Sequence, residues 1–199
     1  MTRFLRLGFS LTFLALPISA FPESLPAPQP IAFRVGSLRF DRPDSWRWVP
    51  PSDSLRAAQL EKKTPNGTLL ITFSRFPNAS SGSIQANLDR WTAQFSKLSL
   101  PAKTQATTGS VCPVTTLRLQ GTLKGGLPGG PAKEILDATL LGAIFQTEGE
   151  LVVVKCTGPS SSIGPIEKEF ASLIAIAGGL SPSLLIRFNP AGPTKFNFR

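Results

Sequence analysis

LLGAIFQTEGELVVVKCTGP, residues Leu140–Pro159, is the stretch whose reading decides the fold. Its middle, Glu148-Gly149, supplies a short turn, because glycine reaches the backbone conformations that a tight reversal needs. Apolar runs lie on either side, so Leu136–Gln146 and Glu150–Cys156 read as a β-hairpin. Leu151-Val152-Val153-Val154 is apolar without alternation. A strand wetted on one face alternates with polar residues; a strand with no polar position is covered on both faces. Something must therefore pack on each side of the sheet that holds this hairpin.

Working outward supplies the two covers. After Pro159, Gly164 is read as a helix cap, Pro165 as the first helical position and Glu167 as an acid in the positively polarised first turn. Ile163, Ile166, Phe170, Leu173, Ile174 and Ala177 then fall on one face, and Gly178-Gly179 stops the helix. Ser160, Ser161 and Ser162 read as the loop before it. Upstream, Ile84, Leu88, Trp91 and Phe95 fall at i, i+4, i+7 and i+11, which predicts a second amphipathic helix over Ser83–Lys97, capped by Ser81 or Ser83.

The remaining segments read as strands. Val114–Leu123 alternates through Leu117 and Leu119 and forms a meander with the hairpin. Thr68–Phe76 follows the turn Pro65-Asn66-Gly67, with Leu69, Ile71 and Phe73 on one face and Leu70 and Phe76 on the other. Leu55–Lys62 and Lys103–Thr107 are weaker candidates. Ala32–Phe40 reads as one strand bulged at Gly36, because Phe33 and Val35 differ in parity from Leu38 and Phe40. The turn Asp41-Arg42-Pro43-Asp44 leads to a short strand carrying Trp46 and Trp48. The order is strands, helix, strands, helix with hairpin-length connections. That predicts an α+β fold, a largely antiparallel sheet with two amphipathic helices packed on it.

The ends lie outside this fold. Residues 1–20 have Arg3 and Arg6, an apolar run from Leu7 to Leu16, and small residues before a cut between Ala20 and Phe21. That is the pattern of a secretory signal peptide, and the apolar run is shorter than the roughly 20 residues needed to span a bilayer. Residues 21–31 hold Pro22, Pro26, Pro28 and Pro30 and read as an extended linker. Residues 32–178 form the single α/β domain, and 179–199 a C-terminal tail in which Leu184, Leu185, Ile186 and Phe188 could add an edge strand. After signal cleavage no segment could span a membrane, so the expectation is an exported protein, periplasmic or fully secreted.

This layout resembles the PsbP-like α/β/α sandwich over roughly residues 32–178. GSIQANLDRWTAQF (Gly82–Phe95) and LLGAIFQTEGELVVVKCTGP (Leu140–Pro159) are similar to segments of uncharacterised exported bacterial proteins of that fold. Lys155, Thr157, Gly158 and Pro159 are the most motif-like part. The fold occurs in extrinsic photosystem subunits and in a nuclear-transport factor that binds the GTPase Ran. The resemblance implies a binding or accessory role, and it transfers no site residue.

Composition narrows the chemistry. The chain has 199 residues, no His and two Cys. Without imidazole, the usual serine, cysteine and zinc catalysts are excluded. No cofactor motif and no metal-ligand set is present, and Asp41 with Asp44 lacks a third ligand. Lys124-Gly125-Gly126-Leu127-Pro128-Gly129-Gly130-Pro131 lacks the Gly-Lys-Ser/Thr of a phosphate loop and reads as a hairpin loop. Asn66-Gly67-Thr68 and Asn78-Ala79-Ser80 match glycosylation sequons, but turn chemistry accounts for them. In the predicted meander Cys112 and Cys156 lie at opposite ends of the sheet, which weighs against a disulfide.

The formal charge is +9. Removing Arg3 and Arg6 lowers it to +7, and setting aside Glu23, Arg187, Lys195 and Arg199 leaves +5 over residues 31–178. Arg34, Arg39, Arg42, Arg47 and Arg56 are possible polyanion contacts, though Asp41, Asp44 and Asp53 are interspersed, as on a solvated face. Nucleic acid is therefore not the favoured partner. Trp46, Trp48 and Trp91 read as core rather than as a stacking platform. The leading expectation is an exported, non-enzymatic binding or accessory protein with an unidentified protein or envelope partner. The alternatives are a His-free hydrolase that uses carboxylates or a serine served by Lys155 or Lys168, its pKa lowered by burial, and then polyanion binding through those arginines.

Overall fold

The structure, a computed structural model, describes residues 29–51, 53–78, 82–125 and 133–181. The segment expected to be a signal peptide, with Ala20 and Phe21, most of the expected linker, Ser81, most of the Gly-Pro loop and the residues beyond Ser181 lie outside the described residues.

The central hairpin forms as the sequence predicts. Strand β9 (Ile135–Thr147) turns at Glu148-Gly149 into β10 (Glu150–Pro159), with Val152 opposite Phe145 and Val154 opposite Ala143. Around it stand β3 (Arg47–Trp48), β4 (Arg56–Thr64), β5 (Gly67–Pro77), β6 (Phe95–Leu98), β7 (Lys103–Thr108) and β8 (Pro113–Leu123). They form one antiparallel sheet in the order β3-β4-β5-β10-β9-β8-β6, and β7 pairs with the outer edge of β8 beside β6.

Both faces of β10 are covered, which accounts for its unbroken apolar run. Val152, Val154 and Cys156 enter one core with Ile71, Phe73, Leu141 and Phe145, beneath the C-terminal helix α3 (Glu167–Gly178). Leu151 and Val153 enter the opposite core with Leu117, Leu119 and Leu140, beneath α1 (Gly82–Thr92). The fold is thus α+β, an antiparallel sheet with helices on both faces.

Three local expectations need correction. Ala32–Phe40 is a separate hairpin, β1 (Ala32–Val35) and β2 (Leu38–Asp41), in place of one bulged strand. Gly36 sits at φ 58° in the two-residue turn, and Phe33 pairs with Phe40 as Val35 pairs with Leu38. That pairing across a turn is the source of the parity change. This hairpin lies on the α3 face, where Phe33, Phe40, Phe73 and Phe145 meet ring to ring at 5.0–5.7 Å between centroids.

Helix α1 ends at Thr92, and Phe95 belongs to β6. The stripe continued in sequence because Phe95 reaches the same core as Trp91 from a strand. The C-terminal helix begins earlier than expected. Ser160–Ile163 forms α2, Gly164–Ile166 a 3-10 turn, and α3 follows, so the three serines are helical and Gly164 is interior to the helical run. Ser160 Oγ bonds Asp137 Oδ1 at 2.7 Å and Thr139 Oγ1 at 2.8 Å, which anchors that first turn. Pro165 has no N–H to continue the α ladder, and the helix tightens there. The C-terminus is as expected: Gly179 stands at φ 65° as a left-handed cap.

Candidate functional site

Helix α1 covers only one half of its face of the sheet. It is seated by Trp91, whose ring lies against Gly142 of β9. The rest, over β5 and the Lys155–Thr157 end of β10, stays open as a groove of about 380 Å³ between α1 and the β4 side. Thr72 and Ser74 of β5 and Lys155 and Thr157 of β10 form its polar floor. Arg90 and Gln94 stand on the helix side, Asp53 and Arg56 on the other. Leu70, Phe76 and Trp91 add apolar surface.

The strand period of two explains the floor. Leu69, Ile71 and Phe73 point into the α3 core, so Thr68, Leu70, Thr72, Ser74 and Phe76 must point to the α1 face. On β10, Val153 closes the core beneath α1, and Lys155 and Thr157 continue along that face into the open part. Lys155 lies directly opposite Thr72, whose hydroxyl donates to the Lys155 carbonyl at 3.3 Å.

Lys155 is the electrostatic centre. Burial pushes its pKa down, and the guanidinium groups of Arg56 and Arg90 push it further the same way. Its Nζ donates to Gln94 Oε1 at 3.4 Å. Asp53, the carboxylate of the groove, is paired with Arg56 at 3.1 Å. Arg56 also donates to Gln59 Oε1 at 2.7 Å, and Arg90 donates to Asn87 Oδ1 within its own helix. Three cations therefore share a concavity with one carboxylate. Thr157 Oγ1 is buried and has no hydrogen-bond partner among the described residues.

The five arginines singled out from the sequence are distributed over several elements. Arg34 and Arg39 face each other across the β1–β2 hairpin, where Arg34 donates to Ser37 O at 2.8 Å and Arg39 pairs with Asp41 at 3.2 Å. Arg42 donates to Pro30 O at 2.9 Å and to Trp46 O. Arg47 pairs with Glu61 at 2.7 Å. Only Arg56 of the five lines the groove. Asp44 is exposed, Lys168 is exposed on α3, and Ser160–Ser162 lie near neither Lys155 nor Lys168 in any hydrogen bond among the described residues.

Trp46 and Trp91 are buried, and Trp48 is half-buried against the α3 core. Cys112 and Cys156 are both buried free thiols. The register places Cys156 opposite Leu141 and Leu141 opposite Arg118, so Cys156 lies two strands across and six positions along β8 from Cys112, too far for a bridge and short of the far end that the sequence predicts. Among the described residues no group of three or more acids or thiols could hold a metal ion, and no helix is long and apolar enough to cross a membrane.

Arg90, Gln94 and Thr72 were not singled out by sequence, and Thr157 was named only as part of the motif-like stretch after Lys155. The available signal was the mixed face of β5: Thr68, Thr72 and Ser74 alternate with the core residues Leu69, Ile71 and Phe73. A polar row there marks the edge of the helix's coverage.

No family model matches the chain, and no curated protein matches it. Among solved structures it is similar to PA94 of Pseudomonas aeruginosa, a protein of unknown function, at 14% identity and TM-score 0.43, over 76% of this chain and 95% of that one. It is also similar to the cyanobacterial PsbP (CyanoP) of Synechocystis sp. PCC 6803, at 10% identity and TM-score 0.46, over 79% of this chain and 96% of that one.

Proposed function

We propose that this chain is an exported binding or accessory protein that works through the groove beside α1 and catalyses no reaction there. The observation that carries the reading is the half-covered sheet face. It leaves a concavity of about 380 Å³, within the size range of small-ligand sites, with polar groups on its floor and apolar surface at its margins. Lys155 is the group closest to a catalytic base, since burial and two arginines lower its pKa. A base must reach the hydroxyl it serves. The hydrogen bond of Lys155 goes to the Gln94 amide, while the Thr157 hydroxyl makes none. That arrangement suits holding a ligand better than activating a nucleophile.

Export rests on the leader pattern of residues 1–20. Mass spectrometry of the protein from its native source should find a mature N-terminus at Phe21; an intact Met1 would remove export from the proposal. The binding role is tested by native mass spectrometry of that purified protein. A co-purifying small molecule, released unchanged and absent from Thr72→Trp, is the expected result. Its conversion to a product would overturn the non-enzymatic reading.

A further inference from the structure

We infer that the groove takes a small organic anion, with a phosphate or carboxylate group held between Lys155, Arg56 and Arg90; this rests on the binding reading above. Three features of the site converge on that chemistry.

The first is charge. Arg56 and Arg90 approach Lys155 from opposite walls and both oppose its protonation, while the groove carboxylate, Asp53, is already engaged by Arg56. Like charges gathered in a concavity repel more strongly than on an open surface, because water screens them less. An anion at their centre relieves that repulsion and accepts charge-assisted hydrogen bonds from each.

The second is the unsatisfied hydroxyl. Thr157 follows Lys155 by two residues on the same strand face, about 7 Å along at the usual strand rise. A buried hydroxyl without a partner is costly, and one beside a cation cluster is a ready donor to an oxyanion.

The third is the margin. Leu70, Phe76 and the exposed Leu55 line the same groove. An anion with an apolar body fits this lining better than a bare inorganic ion. The volume also argues against a polymer, which would need a charged track longer than one groove.

The test titrates the purified protein with octyl phosphate, octanoate and the neutral octyl glucoside, following backbone amides by NMR. At least one of the anions should shift the amides of Thr72, Lys155 and Thr157, with a Kd that rises tenfold or more in Lys155→Met and on adding salt. Arg90→Gln, on the exposed side of α1, should weaken the same binding, and Lys63→Met, exposed on β4, should leave it unchanged. A response to octyl phosphate alone identifies a phosphate ligand; a response to octanoate alone identifies a carboxylate. The inference is overturned if octyl glucoside binds as tightly as the anions, if no probe shifts the groove, or if both variants retain full anion affinity with native spectra. Groove shifts with octyl glucoside alone would discard the anion but keep the binding reading. Hydrolysis of p-nitrophenyl octanoate at a rate lost in Lys155→Met would discard the binding reading itself.

Discussion

The six-membered ring of Trp91 occupies the space that a side chain at Gly142 would fill. This contact between α1 and β9 fixes where the helix sits, and so how much of the sheet it leaves open. Gly142→Ala places a methyl group inside the ring position and must displace α1 or rotate the indole. Overpacking of this kind costs about 1–3 kcal/mol. Urea unfolding should show that loss, together with a shifted tryptophan emission.

Arg118 and Glu167 form an ion pair at 3.0 Å in which both side chains are only 8% exposed. Gln120 accepts a further hydrogen bond from Arg118 at 3.1 Å. Glu167→Gln leaves a buried guanidinium without its counterion, a change that costs about 3–5 kcal/mol. The double variant Arg118→Met, Glu167→Leu should recover most of that loss. Denaturation of the three variants checks both statements; a double variant as unstable as the single one contradicts the second.

Two carboxylates should make the fold acid-sensitive. Glu150 is held below its usual 4.5 by the hydrogen bond from Arg75, against burial that raises it, with further help from the N–H and hydroxyl of Ser37. At Glu169 burial also raises the pKa, but hydrogen bonds from Lys62, Trp46 and Ser45 outweigh it and the net direction is down. A folded-state pKa below the unfolded one gives stability that is present above the unfolded value and lost as pH falls through the folded value. The urea midpoint should therefore fall between about pH 5 and about pH 3. Glu150→Gln should flatten that dependence by lowering stability at the upper end.

Lys155 behaves in the opposite sense. Its folded-state pKa lies below the usual 10.5, so the unfolded chain holds the proton more tightly. Stability should rise with pH as the pH climbs through the folded value towards 10.5, with Arg56 and Arg90 facing the amine, Asp53 paired to Arg56, and the Cys156 thiol adjacent on the strand. Lys155→Met should be more stable than the natural chain near neutral pH and should lose that rise. A less stable Lys155→Met would mean that the ammonium is better satisfied than its neighbours imply.

Burial governs both thiols. It pushes Cys156 up to about 12 and Cys112 in the same direction. Because the thiolate is the reactive form, neither should react with Ellman's reagent in the folded protein, and both should react in denaturant. Oxidising conditions should leave two free thiols. One thiol lost per chain, or a bridge by mass spectrometry, would contradict the separation that the strand register sets between them.

Sheet, hairpin and helix faces were legible because burial imposes a period on the sequence. Val152 and Val153 have no polar neighbour on β10 because each enters a different core. Boundaries were less legible where two elements serve one core, as Phe95 continues the Trp91 stripe from a strand. Side-chain anchors outside the local sequence also hid an element: Asp137 and Thr139 draw Ser160 into a helical turn. The groove escaped for a related reason. Lys155 could be named from its type and context, but Arg90 and Gln94 reach it only because Trp91 seats α1 on Gly142, a relation that spans 51 positions of chain.

The β1–β2 hairpin gives the molecule a back and a front. The chain reaches it at the β3 edge, where the Gln29 side chain accepts from Trp48 N at 2.8 Å and Arg42 holds Pro30 O. From there the hairpin runs across the α3 side of the sheet, clasped by Glu150. The groove opens on the other side. The described chain thus enters at the β3 edge beside a hairpin on the α3 face, while Lys155, Arg56 and Arg90 gather on the opposite face, so the two faces of one sheet divide anchoring of the chain from display of its charge.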